Sequence, residues 1–325
     1  MADKSTVFVS GALLGDVVAR LAEDFEVVVS EEGVGSDAFA ACADRVQAIL
    51  ALVTDRIDAA LLARTPELRV VANVAVGVDN IDLAACAARG VRVTNTPDVL
   101  TEATADVAFG LLIAAARRIC EGDRLVRAGG WQRWTPTFML GARVHGMTLG
   151  IVGFGRIGKA MARRARGFGM HVLYTQRKRE PEPLERALGA TWVASLDELC
   201  AAADAVTLHC PLTPETRGLF DAARLARMRP GSILVNTARG PIVDEAALVD
   251  ALRDGQIAGA GLDVFENEPT LHPGLLEFEN VVLLPHLGSA TNETRAAMAE
   301  LAARNVVQVL AGDEAITPVT KATRA

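Results

Sequence analysis

The sequence predicts an α/β protein made of two doubly wound parallel-sheet units that follow one another along the chain. Short runs rich in Val, Ile and Thr alternate with helical stretches over most of its length. This rhythm is interrupted once, by a long apolar segment that begins at Thr101, and restarts with a strand that feeds a G-x-G-x-x-G turn. At 325 residues the chain is also too long for one typical core.

The first hundred residues hold TVFVS, EVVVS, AILALVT, LRVVANV and VRVTNT, separated by stretches such as GDVVARLAEDF and DLAACAARG. Alternation of this kind predicts parallel strands joined by right-handed helical crossovers. From Thr101, TEATADVAFGLLIAAARR is apolar almost all round, which suits a long buried helix. The second series reads TLGIVGF, HVLYT, TWVAS, AVTLHCPL, SILVNTA, GAGLDVF and NVVLLP. A last helix, from about Thr291 to Leu310, places Met298, Ala302, Val306, Val309 and Leu310 on one side. It must pack on something already made, and its spacing does not say on which unit.

Composition excludes several classes. Half the residues are apolar, with 28 glycines and 13 prolines, as in a globular protein. A net charge of −7 argues against nucleic acid, whose binding depends on extended basic faces. The apolar stretch Val107 to Ala116 falls short of the roughly 18 to 20 residues that cross a bilayer, so no membrane span is expected. The opening MADKSTVFVSG carries an early acid and turns straight into strand residues, so neither a signal nor a transit peptide is expected and the cytoplasm is the default compartment. Cys42, Cys86, Cys120, Cys200 and Cys210 lack C-x-x-C or Cys/His spacing, which predicts buried reduced thiols and no metal site.

The most informative motif is the strand LGIV (149–152) running into Gly153-Phe154-Gly155-Arg156-Ile157-Gly158. Ile157, Met161, Ala165 and Phe168 then recur at helical spacing. Gly153 permits the tight turn, Gly155 lets the backbone approach a pyrophosphate, and Gly158 lets the helix pack closely on the strand. The helix N-terminus presents N–H groups to the anion. With a strand before it and a helix after it, the motif predicts dinucleotide binding.

In such units the second strand usually ends in an acid that accepts hydrogen bonds from the adenosine ribose and repels a 2′-phosphate. Here HVLYTQRKRE (171–180) puts Gln176 in that slot, followed by Arg177, Lys178 and Arg179. A guanidinium suits the 2′-phosphate of NADP. The alternative is a solvated basic turn neutralised by Glu180 and Glu182.

Three further polar residues fall at or beyond the carboxyl ends of predicted strands, where open α/β sheets hold their ligands: Arg239, Glu268 and His286. Hydride transfer between a nicotinamide and a carbonyl needs a proton donor for the developing alkoxide, and histidine suits it. His145, His171, His209 and His272 occupy turns, strand ends or loops where a structural or solvated role is expected. His286 is best placed, although the dipole of the helix that follows would disfavour its imidazolium. A carboxylate such as Glu268 would offset that.

The order G-x-G-x-x-G, NTARG (236–240), GLDVFENEP (261–269) and PHLGSAT (285–291) resembles the D-isomer-specific 2-hydroxyacid dehydrogenases across almost the whole chain. IVGFGRIG, LYTQRK and WTPTFMLG are most similar to the glyoxylate/hydroxypyruvate reductase branch. The resemblance implies a flavodoxin-like substrate domain (1–100 and 288–325) and a Rossmann dinucleotide-binding domain (101–287), with substrate in the cleft between them and a hinge near 99–101 and 286–289. It implies that Arg239 binds the substrate carboxylate and carbonyl, that Glu268 pairs with His286, and that His286 donates the proton. The loop NVAVGVDNID (73–82) matches the family's substrate loop, whose exposed N–H groups would be those of Val76 and Gly77.

Further implied cofactor contacts are Thr104 and Asp263 near the nicotinamide, Cys210 and Pro211 on the adenine side, and Arg156, Ile157, Thr237, Ala238, His286 and Gly288. Trp134, in the arm 131–140, would reach the active site of a partner in a homodimer; clustered with Trp131, it equally fits an ordinary core plug. The expected reaction is reduction of a small 2-oxo acid, glyoxylate or hydroxypyruvate, by NADPH, with NAD as the alternative cofactor. Rivals are a phosphoglycerate or phosphite dehydrogenase, or a non-catalytic dinucleotide-sensing scaffold or corepressor.

Overall fold

A computed structural model describes residues 4–320, which form two compact units. The described residues up to Leu100, together with those from Ala290 onward, make the first; Thr101–Ser289 make the second.

The first unit is built on five parallel strands: β1 (Thr6–Ser10), β2 (Glu26–Ser30), β3 (Val46–Ala51), β4 (Val70–Asn73) and β5 (Arg92–Thr94), in the order β2-β1-β3-β4-β5. That is the flavodoxin-like doubly wound order, which reverses direction between β1 and β3. β1 is buried along its whole length, so its two sets of alternating side chains serve two core layers. Phe8 joins Phe39, Ile49, Leu62 and Val71 on one face. Val7 and Val9 join Ala48, Leu50, Val70 and Ala72 on the other. This second face is covered by the helix Asn292–Ala311 through Ala299, Ala302, Val306 and Val309. Thr291 caps that helix by accepting from the Thr294 N–H at 3.0 Å, and Gly312 ends it in the left-handed conformation (φ 94°).

The second unit has seven parallel strands: β6 (Thr148–Val152), β7 (His171–Thr175), β8 (Ala190–Trp192), β9 (Ala205–Leu208), β10 (Ser232–Asn236), β11 (Ile257–Leu262) and β12 (Val281–Leu283). Their order, β12-β11-β10-β9-β6-β7-β8, is the Rossmann order, whose switch point lies between β6 and β9. The helix Thr101–Ala116 lies against this sheet with Ala108, Leu111, Leu112 and Ala115 buried.

Several strands are shorter than the sequence suggests. AVTLHCPL leaves the sheet after Leu208, SILVNTA after Asn236 and GAGLDVF after Leu262. The released residues are mixed, from His209 and Asp263 to buried Val264 and Phe265, and the ladder fades rather than stops: His209 N–H still bonds the Val152 carbonyl at 2.8 Å and Asp263 N–H the Asn236 carbonyl at 2.9 Å. Two further expectations change. Cys42, Cys86 and Cys200 are buried, but Cys120 and Cys210 are only partly so, and all five are unpaired. A helix, Ile119–Arg127, follows the long one. Beyond it, Trp131 and Trp134 are exposed, Trp134 by 73%, so neither is a core plug of this chain. Among the described residues no helix is long and apolar enough to cross a membrane.

Leu112 is fully buried under the second sheet. Leu112→Ala should lower the stability of the second unit by about 2–5 kcal/mol, through lost burial and a residual cavity. An unchanged denaturant midpoint for that unit's transition would contradict this packing.

Candidate active site

The glycine turn sits at the carboxyl end of β6, beside the switch point. Gly153 has φ 89°, and a Cβ there would stand 2.6 Å from the Cys210 nitrogen. A Cβ on Gly158 would fall 2.2 Å from the Gly153 carbonyl oxygen. Both glycines are therefore dictated by the protein's own backbone. Gly155 is different: a Cβ there would meet no atom within 4 Å. It is the N-cap of the helix Arg156–Gly167, and no side chain caps that helix. An uncapped helix start behind a glycine that faces open space is what a bound pyrophosphate requires.

A second observation at the same sheet edge supports the fit. The Thr237 hydroxyl, just beyond β10, is buried without a hydrogen-bond partner in the chain. A buried hydroxyl left unpaired is costly, and a ligand with donors and acceptors would satisfy it. Ala238 is only partly buried, and its N–H is held by the Asn236 side chain at 3.0 Å. His209, before Cys210 and Pro211, bonds Thr207 through Nε2 at 2.9 Å, and burial pushes its pKa down to about 3. Burial thus favours its neutral form. The residues present thus fit a dinucleotide.

Beyond β7 the turn is more organised than a solvated basic loop. The Gln176 amide donates from Nε2 to the Lys178 carbonyl (2.7 Å) and to Glu180 (3.0 Å). Glu180 is also ion-paired at 2.9 Å with Lys159, in the glycine-turn helix. Burial works to raise the Glu180 carboxyl, but its bonds to Lys159 and Gln176 outweigh this and hold it below the usual carboxylate range. Arg179 is bound by both oxygens of Glu185, at 3.0 and 2.7 Å, and Glu182 pairs with Arg186. Glu180 and Glu182 thus have bonded partners at Lys159, Gln176 and Arg186, while Glu180 also feels the charge of Lys178 and Glu182 that of Arg179. Arg177 and Lys178 are exposed.

The catalytic candidates come together in the second unit. Glu268 Oε2 lies 2.8 Å from His286 Nδ1, and Glu268 Oε1 accepts the Phe265 N–H at 3.1 Å. Burial works to raise the Glu268 pKa, but the hydrogen bond and charge of His286, with help from Phe265 and Arg239, outweigh it and hold it low. Arg239, partly buried beyond β10, donates to its neighbour's carbonyl, that of Ala238, at 2.7 Å. Asn236 fixes that bend by donating to the Arg239 carbonyl at 2.9 Å.

His286 has φ 55°, an uncommon conformation for a residue with a side chain. Asp263, implied by resemblance to lie near a nicotinamide, explains how it is held. Its carboxylate, 1% exposed, accepts the Leu287 N–H at 2.6 Å and the Gly288 N–H at 2.7 Å, while its carbonyl accepts the His286 N–H at 3.0 Å. Burial raises the Asp263 pKa, and the two amides restrain the rise. Thr104, buried, closes on the same turn: a Cβ on Gly288 would stand 3.2 Å from Asp263 and 3.4 Å from the Thr104 methyl. The supporting role of Asp263 toward His286 was missed in the sequence, because the two are 23 residues apart and meet only across the β11–β12 pair.

In the first unit the loop after β4 is pinned through its carbonyls. Thr96 N–H donates to Ala75 at 2.8 Å, Asn95 to Val76 at 2.8 Å, and Asn73 to Gly77 at 2.7 Å. A trans peptide points its N–H opposite its C=O, so the Val76 and Gly77 N–H groups are turned away from these anchors.

A dinucleotide cradle beside a carboxylate–histidine pair and an arginine, all at strand carboxyl ends, defines an oxidoreductase that works on a carbonyl. Residues 109–288 match the model of the D-isomer specific 2-hydroxyacid dehydrogenase, NAD binding domain. The chain is 48% identical over 324 residues to a glyoxylate reductase of Thermococcus onnurineus, covering 98% of this chain and 96% of that one. It superposes on the TT0316 protein of Thermus thermophilus with a TM-score of 0.89 at 45% identity, covering 97% and 100% of the two chains. For the NADPH-dependent glyoxylate/hydroxypyruvate reductase of Sinorhizobium meliloti, in complex with NADP and malonate, the TM-score is 0.87 at 39% identity, over 99% and 98%. The chain belongs to the D-isomer specific 2-hydroxyacid dehydrogenase family. It is an NAD(P)-dependent 2-hydroxyacid dehydrogenase.

Because the folded pKa of Glu268 is depressed, its ionised form stabilises the fold above the ordinary value of 4.5, and this contribution is lost as pH falls through the lowered folded pKa. Thermal melts of the native chain and Glu268→Gln should differ most near neutrality and converge in acid. A constant gap down to about pH 3 would show that the carboxylate's charge is not involved.

Proposed function

We propose that the enzyme reduces glyoxylate or hydroxypyruvate with NADPH, giving glycolate or the D-2-hydroxy acid. The observation that carries the reading is the 2.8 Å pair between Glu268 and the Nδ1 of His286. With Nδ1–H donated to the carboxylate, Nε2 is the nitrogen that delivers the proton to the carbonyl oxygen as negative charge develops there. Reduced nicotinamide, when bound, supplies the hydride. Arg239 holds the substrate carboxylate and polarises the carbonyl, and the Val76 and Gly77 amides of the first unit are further carboxylate donors. In this reading the first unit is the substrate domain and the second the dinucleotide-binding domain, with Thr104, Gly153, Gly155, Arg156, Ile157, Gly158, Cys210, Pro211, Thr237, Ala238, Asp263 and Gly288 around the cofactor.

The preference for NADPH rests on Gln176 replacing a ribose-binding acid and on Arg177, backed by Lys178, as the 2′-phosphate partner. The NADP-bound relative from Sinorhizobium meliloti adds support. We further place the protein in the cytoplasm, where its unpaired thiols suit a reducing medium. We expect a homodimer, because Ile119, Val126, Trp131, Trp134, Phe138 and Leu140 are all exposed within one short stretch. Trp134 would then face the partner's site.

Steady-state kinetics with glyoxylate, hydroxypyruvate, pyruvate and phenylpyruvate should give the highest kcat/KM for the first two, and higher with NADPH than NADH. Arg177→Ala should cut NADPH efficiency about tenfold or more, the worth of a charge-assisted bond, and leave NADH nearly unchanged. Equal losses would remove the phosphate assignment. Saturable NADPH binding with no turnover of any of the four acids would favour a dinucleotide-sensing scaffold. Light scattering should report twice the chain mass, and Leu140→Arg should shift it toward one; a monomeric native chain would refute the dimer.

A further inference from the structure

A lysine in the first turn of a pyrophosphate-binding helix is electrostatically out of place, since it repels the positive end of the helix dipole. Lys159 occupies such a place, the fourth residue of the helix Arg156–Gly167. Its side chain is about a quarter exposed and ends on Glu180, whose carboxylate is still less exposed. Glu180 in turn accepts from the Gln176 amide, whose second bond goes to the Lys178 carbonyl. Four residues from the glycine-turn helix and the loop beyond β7 thus form one connected unit. Both bonds from Gln176 Nε2 are spent inside the chain, so this amide braces the turn, and Oε1 is the atom it has to offer a ribose.

The arrangement contains a hazard. Glu180 is hydrogen-bonded to Gln176, the residue standing in the slot where NAD-binding units of this topology keep an acid to repel a 2′-phosphate. Its charge is tolerable beside a phosphate only if cancelled. Lys159 cancels it, at 2.9 Å in a half-buried setting where a neighbouring charge is weakly screened.

We propose that Lys159 and Glu180 are cofactor-specificity residues that act at a distance from the phosphate: Lys159 neutralises Glu180, and the neutral pair holds Gln176 so that the turn accepts NADP. Neither need touch the cofactor; both are positioning residues. The inference rests on the NADPH reading above and deepens it. Its converse is that the turn carries a latent NAD-type acid, uncovered when Lys159 loses its charge.

The test is a set of dissociation constants for NADP⁺ and NAD⁺, by isothermal titration calorimetry on the full chain, for K159M, E180Q and K159M/E180Q. K159M should weaken NADP⁺ about fivefold to tenfold, the repulsion expected of one uncompensated charge at several ångströms, and change NAD⁺ less than twofold. E180Q keeps an acceptor for Gln176 and should bind NADP⁺ at least as well as the native chain. K159M/E180Q should return NADP⁺ binding to within about twofold of native, because the acid is gone along with its partner. Failure of that rescue would mean that Lys159 contacts the phosphate itself and would overturn the proposal. Parallel losses for both cofactors would make the pair merely structural and overturn it equally. R177A, titrated in the same series, separates the two levels. If R177A keeps the native ratio of affinities, the phosphate does not sit at this turn and the proposal falls with that reading. A ratio lost in R177A but untouched in K159M overturns the proposal alone.

Discussion

The site depends above all on one buried carboxylate. Asp263 gives both oxygens to the N–H groups of Leu287 and Gly288 and its own carbonyl to the N–H of His286. These bonds join the end of β11 to the turn after β12 and hold His286 in a left-handed conformation that costs of order 1–3 kcal/mol. The turn fixed in this way sets the imidazole Nδ1 2.8 Å from Glu268. Burying the Asp263 charge is itself unfavourable, and two short bonds from backbone amides compensate it locally. Loss of that carboxylate would leave the Leu287 and Gly288 amides unpaired and loosen the turn that carries the histidine.

The same logic governs the rest of the sheet edge. Parallel strands end together, and each releases its chain into a loop at the carboxyl side, so residues far apart in sequence become neighbours without any special contact between them. Arg239, Glu268 and His286 follow β10, β11 and β12 in turn, and the glycine turn follows β6. The core beneath is apolar and closely packed. The polar network lies above it, where its groups can be satisfied by backbone amides and by ligand.

Much of this was legible in the sequence, for a physical reason. Buried parallel strands must be continuous β-branched runs, so HVLYT matched β7 residue for residue and TVFVS matched β1. Strand ends were less legible. Thr237 and Asp263 continue an apolar run in the sequence, yet the sheet stops one residue before each, because pairing depends on how far the neighbouring strand reaches. Arg239, Glu268 and His286, proposed above as catalytic, could be picked out by residue type and position, but not the brace under His286, since the partners of Asp263 are backbone amides and carry no sequence signal. The network of Lys159, Glu180 and Gln176 was hidden likewise: Glu180 read as a counterion for the adjacent cations, and it does feel Lys178, but its ion-pair partner at 2.9 Å is Lys159, in the helix before β7.

The helix Asn292–Ala311 has a consequence for the order of synthesis. It covers the Val7, Val9, Leu50 and Val70 face of the first sheet, so that face has no lid until residues 292–311 have been made. The second unit is complete in sequence before this helix is translated. During the interval the first hundred residues must wait with an apolar sheet face turned to water, the kind of surface that chaperones bind and aggregates recruit. The first unit's strands are therefore made before the second unit and covered only after it.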